Sequence, residues 1–261
     1  MSRGPLSTPA RPLGIIAALP EEVRHLGQAL VVDDKSVRGG FAFRQGRLDE
    51  RPVVLVEAGI GKVNTALVAA LLLDHFGCGG LLLTGVAGGV DPALGIGDVV
   101  IADHLIQHDY GAIVAGDLKP FRPGVAPIGE ARDRLGFDLP AEVRQRLQTR
   151  LDGFALPLLP GAVTGGAGRQ PAIRFGTILS GDQFINCETT RRRLFERFRA
   201  QAVEMEGAAV AQVAAQFNSA CVVVRCLSDL AGGDSHLDFP AFLPYAAETA
   251  AQVLRRIVPV L

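Results

Sequence analysis

The 261-residue sequence predicts an α/β fold built around parallel strands. Short β-branched or leucine-rich runs, such as Val222-Val223-Val224 and Leu81-Leu82-Leu83, read as strands buried on both faces. Longer runs with helical spacing alternate with them. Glycine clusters stand where apolar runs end, at Gly59-Ile60-Gly61 and at Gly85-Val86-Ala87-Gly88-Gly89. Alternation of this kind packs helices on both faces of one sheet.

The elements follow in order. Residues 13–19 are predicted as the first strand, and Pro20-Glu21-Glu22 opens a helix, because proline and acids suit a first turn. Strands are expected over 41–45 and 52–58, then an amphipathic-to-buried helix over 61–76. The next strand covers 80–84 and ends at Gly85. Gly95-Ile96-Gly97-Asp98 makes a turn into a strand over 98–108. Helical spacing marks 141–151, a strand 173–179 and a helix 188–198. An alanine- and valine-rich helix spans 206–217, with Glu206 in its first turn. A strand over 221–230 and a helix from about 240 to 257 close the chain. Residues 1–12 read as a flexible tail and 154–171, rich in Gly and Pro, as a surface loop inside one domain, 13–261.

Composition narrows the function. A net charge of −1 argues against nucleic acid as a partner, since phosphate binding needs a basic face. Arg191, Arg192, Arg193, Arg197 and Arg199 are spread around a helix and read as its solvated face. No run approaches the roughly 18 apolar residues of a membrane span, and the first dozen residues lack the apolar core of a signal peptide. Cys78, Cys187, Cys221 and Cys226 have no paired metal-ligand spacing and read as buried structural thiols of a reducing cytoplasm. No histidine has an HxxxH or HExxH partner, so neither a metal nor another cofactor is expected.

The most telling segment is 221–230. Arg225 inside an apolar strand and Asp229 just past its valine run are costly there without a partner or a task. Ligands of open α/β sheets bind at the carboxyl ends of strands, where Ser228 and Asp229 fall. That points to an enzyme, with Asp229 as the first candidate. Each acid alone has a plainer reading: Asp229 as a helix cap, Glu22 as a surface acid, Glu206 as an ordinary first-turn glutamate. Gly59-Ile60-Gly61-Lys62 follows a strand and opens a helix, but lacks P-loop spacing and has Asn64 where a dinucleotide fold needs its third glycine.

Seven segments, in order, resemble the 5'-methylthioadenosine/S-adenosylhomocysteine nucleosidases of the purine nucleoside phosphorylase-like superfamily. They are Gly14-Ile15-Ile16-Ala17-Ala18-Leu19-Pro20-Glu21-Glu22-Val23, Gly59-Ile60-Gly61-Lys62-Val63, Thr84-Gly85-Val86-Ala87-Gly88-Gly89, Ser180-Gly181-Asp182-Gln183-Phe184-Ile185-Asn186, Val203-Glu204-Met205-Glu206-Gly207-Ala208, Val224-Arg225-Cys226-Leu227-Ser228-Asp229 and Ser235-His236-Leu237-Asp238-Phe239. The resemblance implies a single-domain, three-layer fold with a central mixed, barrel-like sheet flanked by helices. It also implies hydrolysis of the N-glycosidic bond of 5'-thio-substituted adenosines, a homodimer, and no cofactor.

Cutting that bond requires protonating the base, activating water and holding the sugar hydroxyls. By resemblance these fall to Asp229, to Glu22 and to Glu206, with Arg225 holding the water and balancing Glu22. Phe184 would stack on adenine and Ile185 read its edge, beside Gln183, Ser228, Val86, Ala87 and Gly88. Met205 would lie under the ribose, and Leu19, Ile60 and Phe239 would line the 5' pocket. This chain departs from many relatives at Val86, where they carry serine. Residues 109–127, which in relatives reach the partner subunit's pocket, match poorly, leaving Ala112, Phe121 and Pro123 as candidates for that role. A nucleoside phosphorylase would need arginines for phosphate, where this chain has the acidic turn Pro20-Glu21-Glu22. A futalosine-type hydrolase and a non-catalytic nucleoside-binding protein are the other readings.

Overall fold

The computed structural model describes residues 11–125, 135–159, 168–233 and 235–261, with His236 and Leu237 described by backbone alone. The strands are β1 (Leu13–Ala17), β2 (Val31–Arg38), β3 (Phe41–Leu48), β4 (Arg51–Glu57), β5 (Gly80–Gly89), β6 (Val99–Gln107), β7 (Gly111–Val114), β8 (Asp117–Pro120), β9 (Gly136–Asp138), β10 (Ile173–Ser180), β11 (Ala202–Glu204) and β12 (Ala220–Asp229). The helices are α1 (Pro20–Ala29), α2 (Lys62–Asp74), α3 (Ala141–Leu151), α4 (Glu188–Phe198), α5 (Gly207–Gln216) and α6 (Ser235–Ile257).

The main sheet runs β11-β10-β6-β12-β5-β1-β4-β3-β2. It closes on itself because the end of β5 pairs antiparallel with β11, Gly88 opposite Val203 and Gly89 opposite Ala202. Five strands, β5, β12, β6, β10 and β11, therefore form a barrel, from which β1, β4, β3 and β2 extend as a wing. The sheet is mixed: β1, β4, β5, β12 and β10 lie in parallel pairings, while β12 runs antiparallel to β6.

Strand alternation sorts the apolar side chains into two cores. Ile15, Leu82, Val222 and Val224 pack with Val23 and Leu26 of α1, Leu147 of α3 and Leu254 of α6. Their neighbours Ile16, Leu83 and Val223 face the other way, onto Val68 and Leu72 of α2 and Val210 of α5. The result is the expected three-layer fold.

The structure also corrects the sequence reading. β5 does not stop at Gly85 but continues to Gly89, because its glycines complete the barrel. β2 was not expected: its sequence is polar and its residues are largely exposed, as an outer strand allows. β11 is three residues long, too short to signal itself. Residues 109–127 hold the hairpin β7–β8. The expected tail lies outside the described residues except Arg11 and Pro12. Arg11 donates to the carbonyls of Gly77 (2.9 Å) and Cys78 (2.9 Å), and the Pro12 carbonyl accepts from Gly79. Of the 154–171 loop, the described ends meet at a bridge between Leu159 and Arg169. Cys78 and Cys226 are buried, but Cys187 is exposed, since it precedes α4 at the surface. Arg191 and Arg197 are not simply solvated, because they donate to the carbonyls of Gly89 and Leu118.

Candidate active site

The carboxyl ends of β1, β4, β5, β10, β11 and β12 converge on one cleft. Ala18, Leu19, Glu22, Ile60, Val86, Ala87, Gly88, Phe184, Val203, Glu204, Met205, Glu206, Arg225, Ser228, Asp229 and Phe239 line it. Gln183 and Ile185 line an adjoining recess shared with Phe184, Met205 and Asp229. All fifteen residues expected from the sequence are thus brought together. A roomier groove elsewhere, lined by Glu142, Arg146, Arg150 and Arg256, contains none of them.

Glu22 sits in the first turn of α1, yet it is 2% exposed. The chain bends back so that its Oε2 accepts the N–H groups of Ala18 (2.7 Å) and Leu19 (3.0 Å), and its Oε1 that of Val86 (3.0 Å). Of the roughly four acceptor positions of a carboxylate, the protein donors leave one, on Oε1. That oxygen lies 4.0 Å from Arg225 Nη1. Burial raises the Glu22 pKa above the ordinary value, against the pull of Arg225 and the three N–H donors. Only glycine at 85 permits this approach, because a Cβ there would fall 2.6 Å from Glu22 Cδ and collide with Arg225 Nη1.

Glu206 is not in a first helical turn, as expected, but is the cap residue of α5, with φ −138°. Its Oε1 accepts the Gly61 N–H (2.8 Å), and its Oε2 accepts from Arg225 Nη2 (3.0 Å). One acceptor position remains on each oxygen. Burial raises its pKa to about 7, with Glu204 and Glu22 adding to the rise and Arg225 opposing it.

Asp229 is 2% exposed and is not the cap of α6, which begins six residues later. Its Oδ1 accepts the Ala231 N–H (2.8 Å) in a local turn and its Oδ2 the Ser228 hydroxyl (3.0 Å). Gly88 gives it room, since a Cβ there would meet Asp229 Oδ1 at 2.9 Å. Phe184 is half exposed at the mouth, edge-on to Phe239 at 5.8 Å. Lys62 Nζ ties this entrance together through Asp109 (2.6 Å) and Asp182 (3.4 Å).

Arg225 was expected to hold the water and balance Glu22. It is 1% exposed and pairs with Glu204 as well, through a very short contact from Nη2. The three carboxylates raise its pKa further, although burial alone would lower it. Glu204 and Ser180 were the residues the sequence reading passed over. Both lie inside quoted segments, and the i, i+2 spacing of Glu204 and Glu206 was the available signal. Among the described residues, no three of His, Cys, Asp or Glu are grouped as metal ligands, and no helix is long and apolar enough to cross a membrane.

A closed mixed barrel with a buried acid–arginine cluster at the strand ends defines a protein of the nucleoside phosphorylase kind. The chain matches the Phosphorylase superfamily over residues 12–259 and belongs to it. Within it, the chain belongs to the 5'-methylthioadenosine/S-adenosylhomocysteine nucleosidase family. It is 49% identical over 249 residues to the Mycobacterium tuberculosis protein of that name, covering 95% of this chain and 97% of the relative. The nucleosidase of S. pneumoniae, solved with a transition-state inhibitor, superposes with a TM-score of 0.78 at 34% identity, over 95% of this chain and 98% of that one. The futalosine hydrolase of Helicobacter pylori superposes with a TM-score of 0.80 at 28% identity, over 97% and 99%.

Proposed function

We propose that this protein hydrolyses the N-glycosidic bond of 5'-thio-substituted adenosines, namely 5'-methylthioadenosine and S-adenosylhomocysteine, with 5'-deoxyadenosine as a further substrate. The observation that carries the reading is the buried Glu22, which keeps one acceptor position beside Arg225. That arrangement suits one water molecule, held by Arg225 and deprotonated by Glu22. The two remaining positions on Glu206 suit the 2' and 3' hydroxyls, and its ionised form stabilises positive charge on the sugar. Asp229, on the Ser228 side of the cleft, protonates adenine N7. The C1'–N9 bond breaks with its electrons passing to adenine. Water oxygen joins C1', and its proton goes to Glu22. Phe184 stacks on the base, with Ile185, Gln183, Val86, Ala87 and Gly88 around it, while Leu19, Ile60 and Phe239 take the thioether.

A phosphorylase would hold phosphate beside this arginine, where Glu22, Glu204 and Glu206 would repel it. Futalosine hydrolysis remains as a second reading, favoured by the likeness to the Helicobacter pylori enzyme. Adenine release from 5'-methylthioadenosine and S-adenosylhomocysteine, compared with base release from futalosine in phosphate-free buffer, tests both. A kcat/KM at least tenfold higher on the thioadenosines supports the proposal, and the reverse order replaces it.

The protein works as a homodimer in this reading. Support comes from exposed apolar residues on α2, Val63 and Leu67, and on the hairpin, Ile113 and Val114. Of the three residues expected to reach a partner's pocket, Phe121 and Pro123 are buried in their own subunit and Ala112 is partly exposed, which favours Ala112 for that role. Sedimentation showing a fully active monomer would refute it. Four unpaired cysteines suit a reducing cytoplasm, where the products would enter methionine salvage.

A further inference from the structure

Arg225 is one cation among three buried carboxylates, and they are not equivalent. Glu204 is 6% exposed at the end of β11 and borders the cleft, so what sets it apart is which of its acceptor positions are filled. It accepts from the Ser180 hydroxyl and Arg225 Nη2, both through very short contacts, and from the N–H groups of Glu206 (3.2 Å) and Gly207 (2.9 Å). Four donors fill the roughly four acceptor positions of a carboxylate. Glu206 and Glu22 each keep at least one. We infer that Glu204 is a positioning residue, the fixed counter-charge that sets Arg225 and the start of α5 in place while touching neither sugar nor water.

Three features carry the inference. Arg225 Nη2 bridges Glu204 and Glu206, so the guanidinium plane and its reach toward Glu22 follow from where Glu204 stands. Glu204 receives the N–H groups of Glu206 and Gly207 and thereby fixes the backbone that aims the Glu206 side chain. The Ser180 hydroxyl accepts the Ala208 N–H (2.8 Å) as it donates to Glu204, which joins β10 to the same corner. A buried arginine held by one saturated carboxylate leaves the other two available to reactants.

This rests on the nucleosidase reading, and the test separates the two. The charged groups facing Glu206 are Arg225 from β12, Glu204 from β11 and Glu22 from α1. His108, at the end of β6, lies near Glu204. The Glu204→Gln change removes a negative charge beside Glu206 and gives all of Arg225 to Glu206 and Glu22. On 5'-methylthioadenosine, kcat should fall about 10–10²-fold, the scale of a small misplacement. KM should change little, and the acid limb of the pH profile should move about one unit lower. Preference for the ribosyl over the 2'-deoxyribosyl substrate should persist, because Glu206 makes that contact.

A limb that stays in place, or a lost ribosyl preference, overturns the proposal. Wild-type protein that releases no adenine would instead sink the nucleosidase reading. Should Glu204→Gln fail to fold, the double variant Glu204→Gln/Arg225→Gln reads the same point. Glutamine keeps an oxygen for the Glu206 and Gly207 N–H groups and removes only the charge that Arg225 meets, so the proposal predicts that the double variant is no slower than Arg225→Gln alone. A further loss beyond about tenfold would overturn it.

Discussion

Replacing Gly85 with alanine isolates the contact on which water activation depends. The added Cβ would lie 2.6 Å from Glu22 Cδ and would also strike Arg225 Nη1. Carbon atoms rest at roughly 3.5–4.0 Å, so the carboxyl group must retreat by about 1 Å. Neither partner is a free surface end: Glu22 is held by three N–H groups and Arg225 by Glu204. A displacement of that size costs about 10²-fold in turnover. Strain adds to it, because φ is 152° at this position, a conformation costing a side-chain-bearing residue about 1–3 kcal/mol. The assay is steady-state adenine release, with a melting curve and binding of a non-hydrolysable thioadenosine analogue alongside. Gly14→Ala is the control. Its Cβ would press on Leu72 and Leu81 at 2.9 Å, away from the cleft, so stability should fall while kcat holds. Gly85→Ala protein with kcat within threefold of wild type would refute the argument that Glu22 and Arg225 must meet across a bare backbone.

Other outcomes follow from the same geometry. Glu22→Gln should cut kcat by about 10²–10⁴ with analogue binding largely intact, as loss of a general base would; near-normal turnover would return Glu22 to a structural role. Asp229→Asn should lose a similar factor on purine nucleosides but much less on a nitrophenyl riboside, whose leaving group needs no proton, and equal losses would indicate a distorted pocket. Because the Glu206 pKa is raised to about 7, its hydroxyl-accepting form is depleted below that pH. A pH profile of kcat/KM should therefore fall about tenfold per unit on the acid side of 7, and a flat profile down to pH 5 would contradict the role.

The positions of the acids were legible because each stands where an apolar strand meets a glycine turn or a helix start. Arg225 announced itself by interrupting a valine run. What the sequence hid was dictated by distance rather than by local pattern. Gly85 through Gly89 read as a turn because the partner that makes them a strand, β11, lies over a hundred residues away and has three residues. Glu204 was passed over because its meaning comes from Arg225 and Ser180, on two other strands. Glu206 was placed inside the helix it caps, an offset of one residue that changes which groups it can reach. The polar β2 gave no alternation to detect, since neither of its faces is buried.

The central claim is that water, and not phosphate, attacks C1' of a 5'-thioadenosine in this cleft. Turnover of 5'-methylthioadenosine in ¹⁸O-labelled water, with and without millimolar phosphate, tests it directly. The account predicts equal rates in both buffers, one labelled oxygen in the methylthioribose for each adenine released, and no sugar phosphate. Adenine release that requires phosphate and yields methylthioribose 1-phosphate would contradict it.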